Sequence, residues 1–448
     1  MELLKGRRGW PSILLGRVGV YDPSSEAAGI AAAESGGAWA AWRRAVTTMT
    51  PEAVIRVVAD AGLRGRGGGA FPTGEKWAAT RAADGRARHV VANGFEADPG
   101  AQVDRMLMEQ DPHLVVEGTA LAAYAVGATE ATIVVGAGGA TAAARLRAAI
   151  AAAEAAGYLG ENVLATGQPL WMDVRELTGS FVVGEETALL RALEEKRAQP
   201  DQRPPFPSEK GLRGRPTVVN NVETLAAVPW IVTNGPSAYA AIGDPIEPGT
   251  TLVQLTGAVV RAGILEVPTG TPLQTILDAA SGSAPVANAP VLKALLVGGP
   301  AGGFLPPSAL GTPLTNAALV AAGALTGSGS IVGVDASSCI VELATLMTRF
   351  LSDEACGKTI PCRIGTRRLA ELGQGFCDGH CRPSDQDLLT SLAADVRDAA
   401  LCGLEANASN PLLSGMRYFA TEFEDHIVRG SCPAGVCHPV RAVAAVAG

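Results

Sequence analysis

Apolar positions along this chain fall into two kinds of run, short strand-like runs and longer Ala-rich runs with helical spacing. The strand-like runs are 89–92 and 131–135, and the helical runs are 113–126 and 140–156. Another helix begins at Thr50 and Pro51, because Thr is a favoured N-cap and Pro fits the first helical position. Alternation of strands and helices predicts a largely parallel sheet covered by helices on both faces.

The pattern changes twice further along the chain. Short strands are expected at 251–257, 263–268 and 292–300, with one helix at 272–280 among them. From about residue 335 helical periodicity dominates, as in 339–351 and 387–401. The sequence therefore predicts an α/β protein in four parts: an N-terminal extension (1–45) with a strand at 13–20, an α/β domain (46–244), a small α+β domain (245–330) and a helical domain (331–448).

Composition and charge narrow the function. The chain has 448 residues, of which 47% are hydrophobic and 18% charged, which describes a globular protein and not a disordered one. The net charge of −8 argues against nucleic acid as a main partner, since phosphate binding needs a basic surface. No apolar run reaches the roughly 20 residues needed to span a bilayer, and the first residues lack the long apolar run of a secretory signal.

The cysteines are confined to one end of the chain. All eight lie beyond residue 338: Cys339, Cys356, Cys362, Cys377, Cys381, Cys402, Cys432 and Cys437. A disulfide scaffold would spread its cysteines through the chain. Clustering in one segment favours metal or redox chemistry.

A glycine-dense loop, 62–74, precedes Lys76 and Trp77. Glycines let backbone N–H groups approach a phosphate without obstruction from Cβ atoms, and Lys76 adds a positive charge. A P-loop is unlike this, because Glu75 stands between Gly74 and Lys76 and Trp77 follows. A flexible turn is the remaining alternative.

Three further segments carry polar groups suited to a ligand. Asn93–Gly100 follows a predicted strand, and ligands of open α/β sheets bind beyond the carboxyl ends of strands. Gly184–Leu190 forms a turn into a helix. Asn220 and Asn221 supply both hydrogen-bond donors and acceptors, although each asparagine alone would also fit capping or turn formation.

Taken in order, these motifs resemble the flavin subunit of respiratory NADH dehydrogenase and its relatives in NAD-linked hydrogenases and formate dehydrogenases. The resemblance runs from about residue 13 to 437 and implies a Rossmann-like FMN and NADH domain, a β-grasp domain and a helical iron–sulfur domain. It implies FMN contacts from Gly65, Gly67, Gly68, Lys76, Asn93, Glu96, Gly184, Glu185, Asn220, Asn221 and Thr224. It places NADH near Phe71, Glu96, Asp98, Glu186 and Phe206, with Arg203 where a lysine is common near the nucleotide.

The resemblance also implies a 4Fe-4S cluster in the helical domain. The family carries Cys-x2-Cys-x2-Cys and a distant fourth cysteine. Cys356, Cys362 and Cys402 match three of these positions, whereas Thr359 stands at the fourth. A replacement thiolate from Cys377 or Cys381 and loss of the cluster are the two alternatives.

The implied activity is that of an NADH dehydrogenase flavin subunit, which transfers electrons from NADH through FMN to iron–sulfur centres of a larger complex. Partners would be a thioredoxin-like 2Fe-2S protein and ferredoxin-like proteins, in the cytoplasm or peripheral to a membrane. Phe95, Phe181 and Ala79 depart from the family pattern and weaken the NADH site. A flavin relay fed by a ferredoxin-like partner and a scaffold subunit without a cluster therefore stay open.

Overall fold

The computed structural model describes residues 2–4, 6–24, 29–85, 87–282 and 290–438. Its first sheet has four parallel strands in the order β3-β2-β1-β4. The strands are β1 (His89–Gly94), β2 (Glu130–Gly136), β3 (Trp171–Leu177) and β4 (Thr217–Asn221). The expected parallel sheet is confirmed, with β3 and β4 as strands that the apolar pattern did not reveal.

Helices cover this sheet on both faces, as successive strand residues show. Val90 and Ala92 pack into one core with Leu121 of α6, whereas Val91 packs into another with Leu189 of α8. Because neighbouring strand residues point to opposite faces, both faces are buried. The helices up to residue 240 are α1 (Gly29–Ser35), α2 (Ala40–Thr48), α3 (Pro51–Asp60), α4 (Thr73–Ala82), α5 (Val103–Gln110), α6 (Pro112–Val126), α7 (Ala140–Ala155), α8 (Glu186–Leu193), α9 (Pro207–Lys210), α10 (Val222–Asn234) and α11 (Pro236–Ala240).

The start of α3 agrees with its sequence signal. The Thr50 side chain accepts a hydrogen bond from the backbone N–H of Ala53, and Pro51 occupies the first helical position. This cap pairs an N–H group that a helix terminus otherwise leaves without a partner.

The strand predicted at 13–20 is wrong, because this segment forms turns. The backbone N–H groups of Ile13, Leu14 and Leu15 all donate to the buried carboxylate of Glu266. A single side chain therefore takes the hydrogen bonds that a neighbouring strand would have accepted. Further along the predicted extension, Trp39 and Trp42 are fully buried in the core of the first domain.

The second sheet is mixed and has the order β6-β5-β9-β7-β8. Its elements are β5 (Thr250–Gly257), β6 (Gly263–Pro268), α12 (Leu273–Ser281), β7 (Leu292–Val297), β8 (Gly303–Leu305), α13 (Asn316–Ala322) and β9 (Ser330–Asp335). β9 is central, parallel to β5 and antiparallel to β7. It carries the sheet to Asp335, past the boundary of 330 that the sequence suggested.

The remaining described elements are helical, as expected. They are α14 (Ile340–Asp353), α15 (Thr366–Asp378), α16 (Asp385–Asp398), α17 (Gly403–Asn407), α18 (Asn410–Tyr418) and α19 (Ala420–Glu424). In the part of the chain that the structure describes, no helix has the length and apolar character required to cross a bilayer.

Candidate functional site

Asparagines from two strands meet at the point where the strand order of the first sheet reverses. β2 lies on one side of β1 and β4 on the other, and such switch points form ligand crevices beyond the strand carboxyl ends. Asn93 Nδ2, at the end of β1, donates to Gly184 O over 3.0 Å, and Asn221 Nδ2, at the end of β4, lies 3.5 Å from Asn93 O. Asn220 Oδ1 accepts from Trp77 Nε1 at 2.9 Å. The fold thus brings together polar groups from four of the segments singled out in the sequence.

The glycine-dense loop joins α3 to α4 and lies against the start of α10. The backbone N–H of Arg66 donates to Thr224 Oγ1 at 2.8 Å, and a Cβ on Gly67 would come within 3.1 Å of Asn221 Cβ. A Cβ on Gly69 would meet no atom within 4 Å, so that position faces open space. Gly68 has a φ of +90°, which favours glycine.

Two buried polar atoms beside this loop, Arg66 Nε and Thr73 Oγ1, have no hydrogen-bond partner among the described residues. Buried polar groups normally find a partner, so an exception indicates that something else satisfies them. Together with the open glycine surface, these atoms fit a loop that receives an anionic ligand.

Charged side chains form a linked row next to the loop. Lys76 Nζ lies 3.0 Å from Glu186 Oε2 and 3.0 Å from Val219 O. Arg203 pairs with Glu186 at 3.1 Å and also with Glu185. The other oxygen of Glu185 caps α8 by accepting from the N–H groups of Thr187 and Ala188. Arg203 is therefore compensated by two carboxylates.

Two aromatic side chains predicted for the nucleotide are half exposed. Phe71 is 52% exposed and Phe206 49% exposed. The Lys76 ammonium lies 5.9 Å from the centre of the Phe71 ring, which places this ring at the row of charges. Phe206 immediately precedes α9. Exposed apolar rings of this kind offer stacking surface to a planar ligand.

A buried acidic group lies behind Asn221. Glu96, at a φ of +44°, accepts from the N–H groups of Asp104 and Arg105, and burial raises its pKa to about 7. Burial, with the charges of Glu96 and Glu223, raises the pKa of Asp104 well above its usual range. Asp104 Oδ2 accepts from Asn221 Nδ2 at 2.6 Å. Sequence reasoning missed Asp104, because nothing local distinguishes it from any acidic residue in a first helical turn.

Asp98 lies apart from this group. Its carboxylate accepts from the Ser328 hydroxyl at 2.7 Å and from Gly100 N–H at 2.9 Å. A Cβ on Gly299 would come within 2.2 Å of Asp98 Oδ2. Asp98 therefore faces the second sheet, away from the asparagines.

A cavity of about 260 Å³ opens beside Glu96 at the carboxyl ends of β1 and β2. Residues that line it include Phe95, Phe181, Phe350, Glu354 and the glycine turn 136–139. Phe181 N–H donates to Glu354 Oε2 at 2.6 Å, and the Phe181 and Phe350 rings meet edge to face at 5.8 Å. Sequence reasoning missed this cavity, although the glycine run after β2 is a signal for it.

Cys356 and Cys402 lie against the turn that leads into α8. They pack in one apolar cluster with Val182, Ala188 and Leu404. Burial raises the pKa of the Cys402 thiol, and the Glu185 carboxylate adds to that rise. Glu185 and Cys402, from different domains, are thus close enough to interact electrostatically.

Cys362 is buried next to them. Burial raises the pKa of its thiol to about 12, and the charges of Glu405, Cys356 and Cys402 add to the rise. Thr359, at the position of the missing cysteine, donates to Glu405 Oε1 at 2.6 Å and accepts from Cys362 N–H at 3.0 Å. The three predicted cysteine ligands therefore lie around one location.

Cys377 and Cys381 lie elsewhere. Both pack in the apolar cluster of Cys339 and Phe376, and Cys377 Sγ donates to Thr345 Oγ1 at 3.5 Å. The structure thus does not support either as the replacement ligand at Thr359. A separate set of donors, Cys339, His426, Cys432 and Cys437, converges in the same region.

Comparison with known proteins agrees with this geometry. Residues 58–230 match the Nuo51 FMN-binding domain, and residues 342–426 match the NADH-ubiquinone oxidoreductase-F iron-sulfur binding region. The NADP-reducing hydrogenase subunit HndC of Solidesulfovibrio fructosivorans is 41% identical, over 88% of this chain and 79% of that protein. The second F subunit of the NADH-quinone oxidoreductase of Rhizobium meliloti is 38% identical, over 89% of this chain and 94% of that protein.

A solved structure is also similar. The crystal structure of NAD+-reducing [NiFe]-hydrogenase in the H2-reduced state matches with a TM-score of 0.76 and 33% identity. The match covers 84% of this chain and 63% of the hydrogenase chain. The resemblance seen in the motifs is thereby confirmed: the chain belongs to the family of the F subunits of NADH-quinone oxidoreductase, the flavin subunits of NADH dehydrogenase type, with an FMN-binding domain and a 4Fe-4S region.

Proposed function

We propose that this subunit oxidises NADH at the crevice beside Asn93 and Asn221 and delivers the electrons singly to a cluster held by Cys356, Cys362 and Cys402. The observation that carries the proposal is the apolar cluster that packs Val182 and Ala188 against Cys356 and Cys402. It places the ligand crevice and the cysteines on two sides of one packed wall. Adjacent redox sites are what an electron-transfer subunit requires.

The residues fit FMN. Open space at Gly69, the unpartnered Arg66 Nε and the nearby Lys76 suit the phosphate, because backbone N–H groups and cations bind anions. We assign Gly65, Gly67, Gly68, Lys76 and Thr224 to this end of the cofactor. Asn93, Gly184, Glu185, Asn220 and Asn221 supply polar groups for the ring and the ribityl chain.

FMN, when bound, supplies the change from a two-electron donor to one-electron acceptors. The protein's part is to orient the nucleotide and to exclude water. We assign Phe71 and Phe206 to stacking with NADH, since both rings are half exposed beside the charged row. Glu96 and Glu186 provide acceptors for its hydroxyl and amide groups. Asp98, which faces Ser328, is left out of this assignment.

The charge pattern favours NADH over NADPH. Arg203, the cation that the sequence offered for a 2′-phosphate, is already paired with Glu185 and Glu186. An added phosphate would meet these carboxylates, which disfavours binding. The name of HndC specifies NADP for that protein, so a preference for NADH would set this chain apart from it. We expect kcat/KM to be at least about tenfold higher with NADH, a difference of roughly 1.4 kcal/mol.

The partners we propose are a thioredoxin-like 2Fe-2S protein and ferredoxin-like proteins within a larger complex. Support comes from relatives that are subunits of quinone oxidoreductases and of a hydrogenase. We further propose a cytoplasmic location, since the eight cysteines are free and disulfides are rare in that compartment.

Anaerobic titration tests the proposal. Purified full-length protein should show a flavin spectrum that NADH bleaches within the mixing time of the experiment, and NADPH should bleach it more slowly. Equal rates would contradict the nucleotide preference. A flavin that NADH leaves oxidised but a reduced ferredoxin bleaches would replace our proposal with a ferredoxin-fed relay.

A further inference from the structure

A second donor set lies in the helical domain, in a different apolar cluster from that of Cys356 and Cys402. Cys339 is the N-cap of α14, His426 follows α19, and Cys432 and Cys437 lie in the last described stretch. One donor atom from each of these four residues lies within 4.8 Å of all the others. Cys339 and His426 are buried, and the other two are partly buried.

The histidine is already oriented as a metal ligand. Its Nδ1 lies 2.8 Å from Glu422 O, so Nδ1 carries the proton and donates to the carbonyl. Nε2 then presents its lone pair towards Cys339 Sγ, 3.5 Å away. Glu422 is itself fixed by Ile340 N–H at 3.1 Å and Lys293 Nζ at 2.6 Å. A histidine whose second nitrogen is held by a carbonyl is the usual support for a metal ligand.

We propose that Cys339, His426, Cys432 and Cys437 bind one zinc ion in a tetrahedral site. Three thiolates and one imidazole are a structural zinc set, with no position left open for substrate. Zn–S bonds of about 2.3 Å place tetrahedral sulfurs roughly 3.8 Å apart, which agrees with the tight grouping of these donors. A cubane would separate its ligands further, since four irons and four sulfides lie between them.

The ion fixes a segment that has little else to hold it. Residues 430–438 form turns, with local hydrogen bonds such as Gly435 N–H to Cys432 O. The bond to Cys339 ties this segment to the start of α14, four residues beyond the end of β9. The zinc therefore cross-links the C-terminal stretch to the second sheet.

Metal analysis of the purified full-length protein tests the site. We expect about one zinc per chain in addition to iron, with an X-ray absorption spectrum that fits three sulfurs and one nitrogen. Cys432→Ser should lose most of the zinc and keep FMN. His426→Cys should keep zinc and change the fit to four sulfurs, which shows that a loss in the serine variant is not mere misfolding.

Cys381→Ser is the matched control, because Cys381 lies in the same apolar cluster but outside the four donors. It should keep full zinc. Iron in place of zinc at these residues, or a Cys432–Cys437 disulfide with no metal in protein purified under reducing conditions, would overturn the proposal.

A separate observation concerns the position of Thr359. Glu405 is only 1% exposed, and no cation pairs with it in the described part of the chain. One oxygen accepts from the Thr359 hydroxyl at 2.6 Å and the other from Leu401 N–H at 2.9 Å. A buried carboxylate without a positive partner is costly, and a metal ion would remove that cost.

We infer that Glu405 is the fourth ligand of the cluster, an inference that rests on the cluster assignment above. The Thr359 hydroxyl then orients the carboxylate, which has lone pairs left for an iron after its two hydrogen bonds. Carboxylate is a harder ligand than thiolate, so this iron should differ from the other three and exchange more readily.

Anaerobic reconstitution with iron and sulfide, followed by Mössbauer and electron paramagnetic resonance spectroscopy, tests this ligand. The wild-type chain should hold four irons, one of them spectroscopically distinct. Glu405→Gln should convert most of the clusters to a three-iron form, and Glu405→Cys should restore four equivalent iron sites. Glu371→Gln, at an exposed carboxylate on α15, should behave as wild type.

The outcomes separate this inference from the function. Four irons with the same distinct site in Glu405→Gln would overturn the ligand and leave the cluster intact. A wild-type chain that binds no iron under these conditions, yet has its flavin bleached by NADH, would overturn the cluster assignment together with this ligand but leave NADH oxidation standing.

Discussion

Lys76→Glu should yield folded protein that binds FMN at least about tenfold more weakly, because the change adds a negative charge where the phosphate is expected. In the native chain the ammonium lies 3.0 Å from Glu186 and 3.0 Å from Val219 O. A glutamate there would face Glu186 and the phosphate together. Flavin absorbance per chain after gel filtration measures the effect.

Two other variants make this result specific. Lys196→Glu is the same substitution at a lysine that is 58% exposed and pairs only locally with Glu194, and it should keep full flavin. Lys76→Met removes the charge without reversing it and should retain an intermediate amount. Full flavin in Lys76→Glu would show that this loop is not the phosphate site.

The largest expected loss of stability comes from Glu266→Ala, which should lower the free energy of unfolding by about 3–5 kcal/mol. The carboxylate accepts from the N–H groups of Ile13, Leu14 and Leu15 at 2.8–3.0 Å. It also accepts from the hydroxyls of Ser12 and Thr250. Alanine would leave these largely buried donors without a partner.

Urea unfolding and amide hydrogen exchange measure this loss together. The midpoint should fall, and exchange should accelerate at residues 13–15 before the rest of the chain unfolds. Glu2→Ala removes an exposed carboxylate that pairs with Arg261 on the same sheet edge, and we expect a change within about 0.5 kcal/mol. An unchanged midpoint in Glu266→Ala would mean that the N-terminal segment is held by its other contacts.

The parts of the fold that were predictable are those whose residues declare burial locally. β1 and β2 are continuous apolar runs inside a sheet, and α6 and α7 are Ala-rich over four turns. β3 was missed because an edge strand with Asp173, Arg175 and Glu176 has no such run. The strand expected at 13–20 was wrong because a distant side chain, Glu266, satisfies its backbone.

The candidate site divides in the same way. Its glycines, asparagines and three of its cysteines stand in compact motifs, so the sequence indicated them. Cys339 and His426 lie 87 positions apart and Thr359 and Glu405 46 positions apart, and no local pattern joins such pairs. The pairing of Arg203 with two carboxylates likewise depends on folding, and it changes the meaning of a cation that the sequence could only name.

The wall between the crevice and the cysteines has a kinetic consequence. Val182, Ala188 and Leu404 are buried side chains in contact, and Phe181 N–H is bonded to Glu354 across the same boundary. Closely packed interiors resist deformation, so the separation of the two redox sites should be constant over time. We therefore expect no conformational gating of the internal electron step: its rate should be insensitive to solvent viscosity, whereas arrival of NADH and departure of electrons to a partner should both slow as viscosity rises.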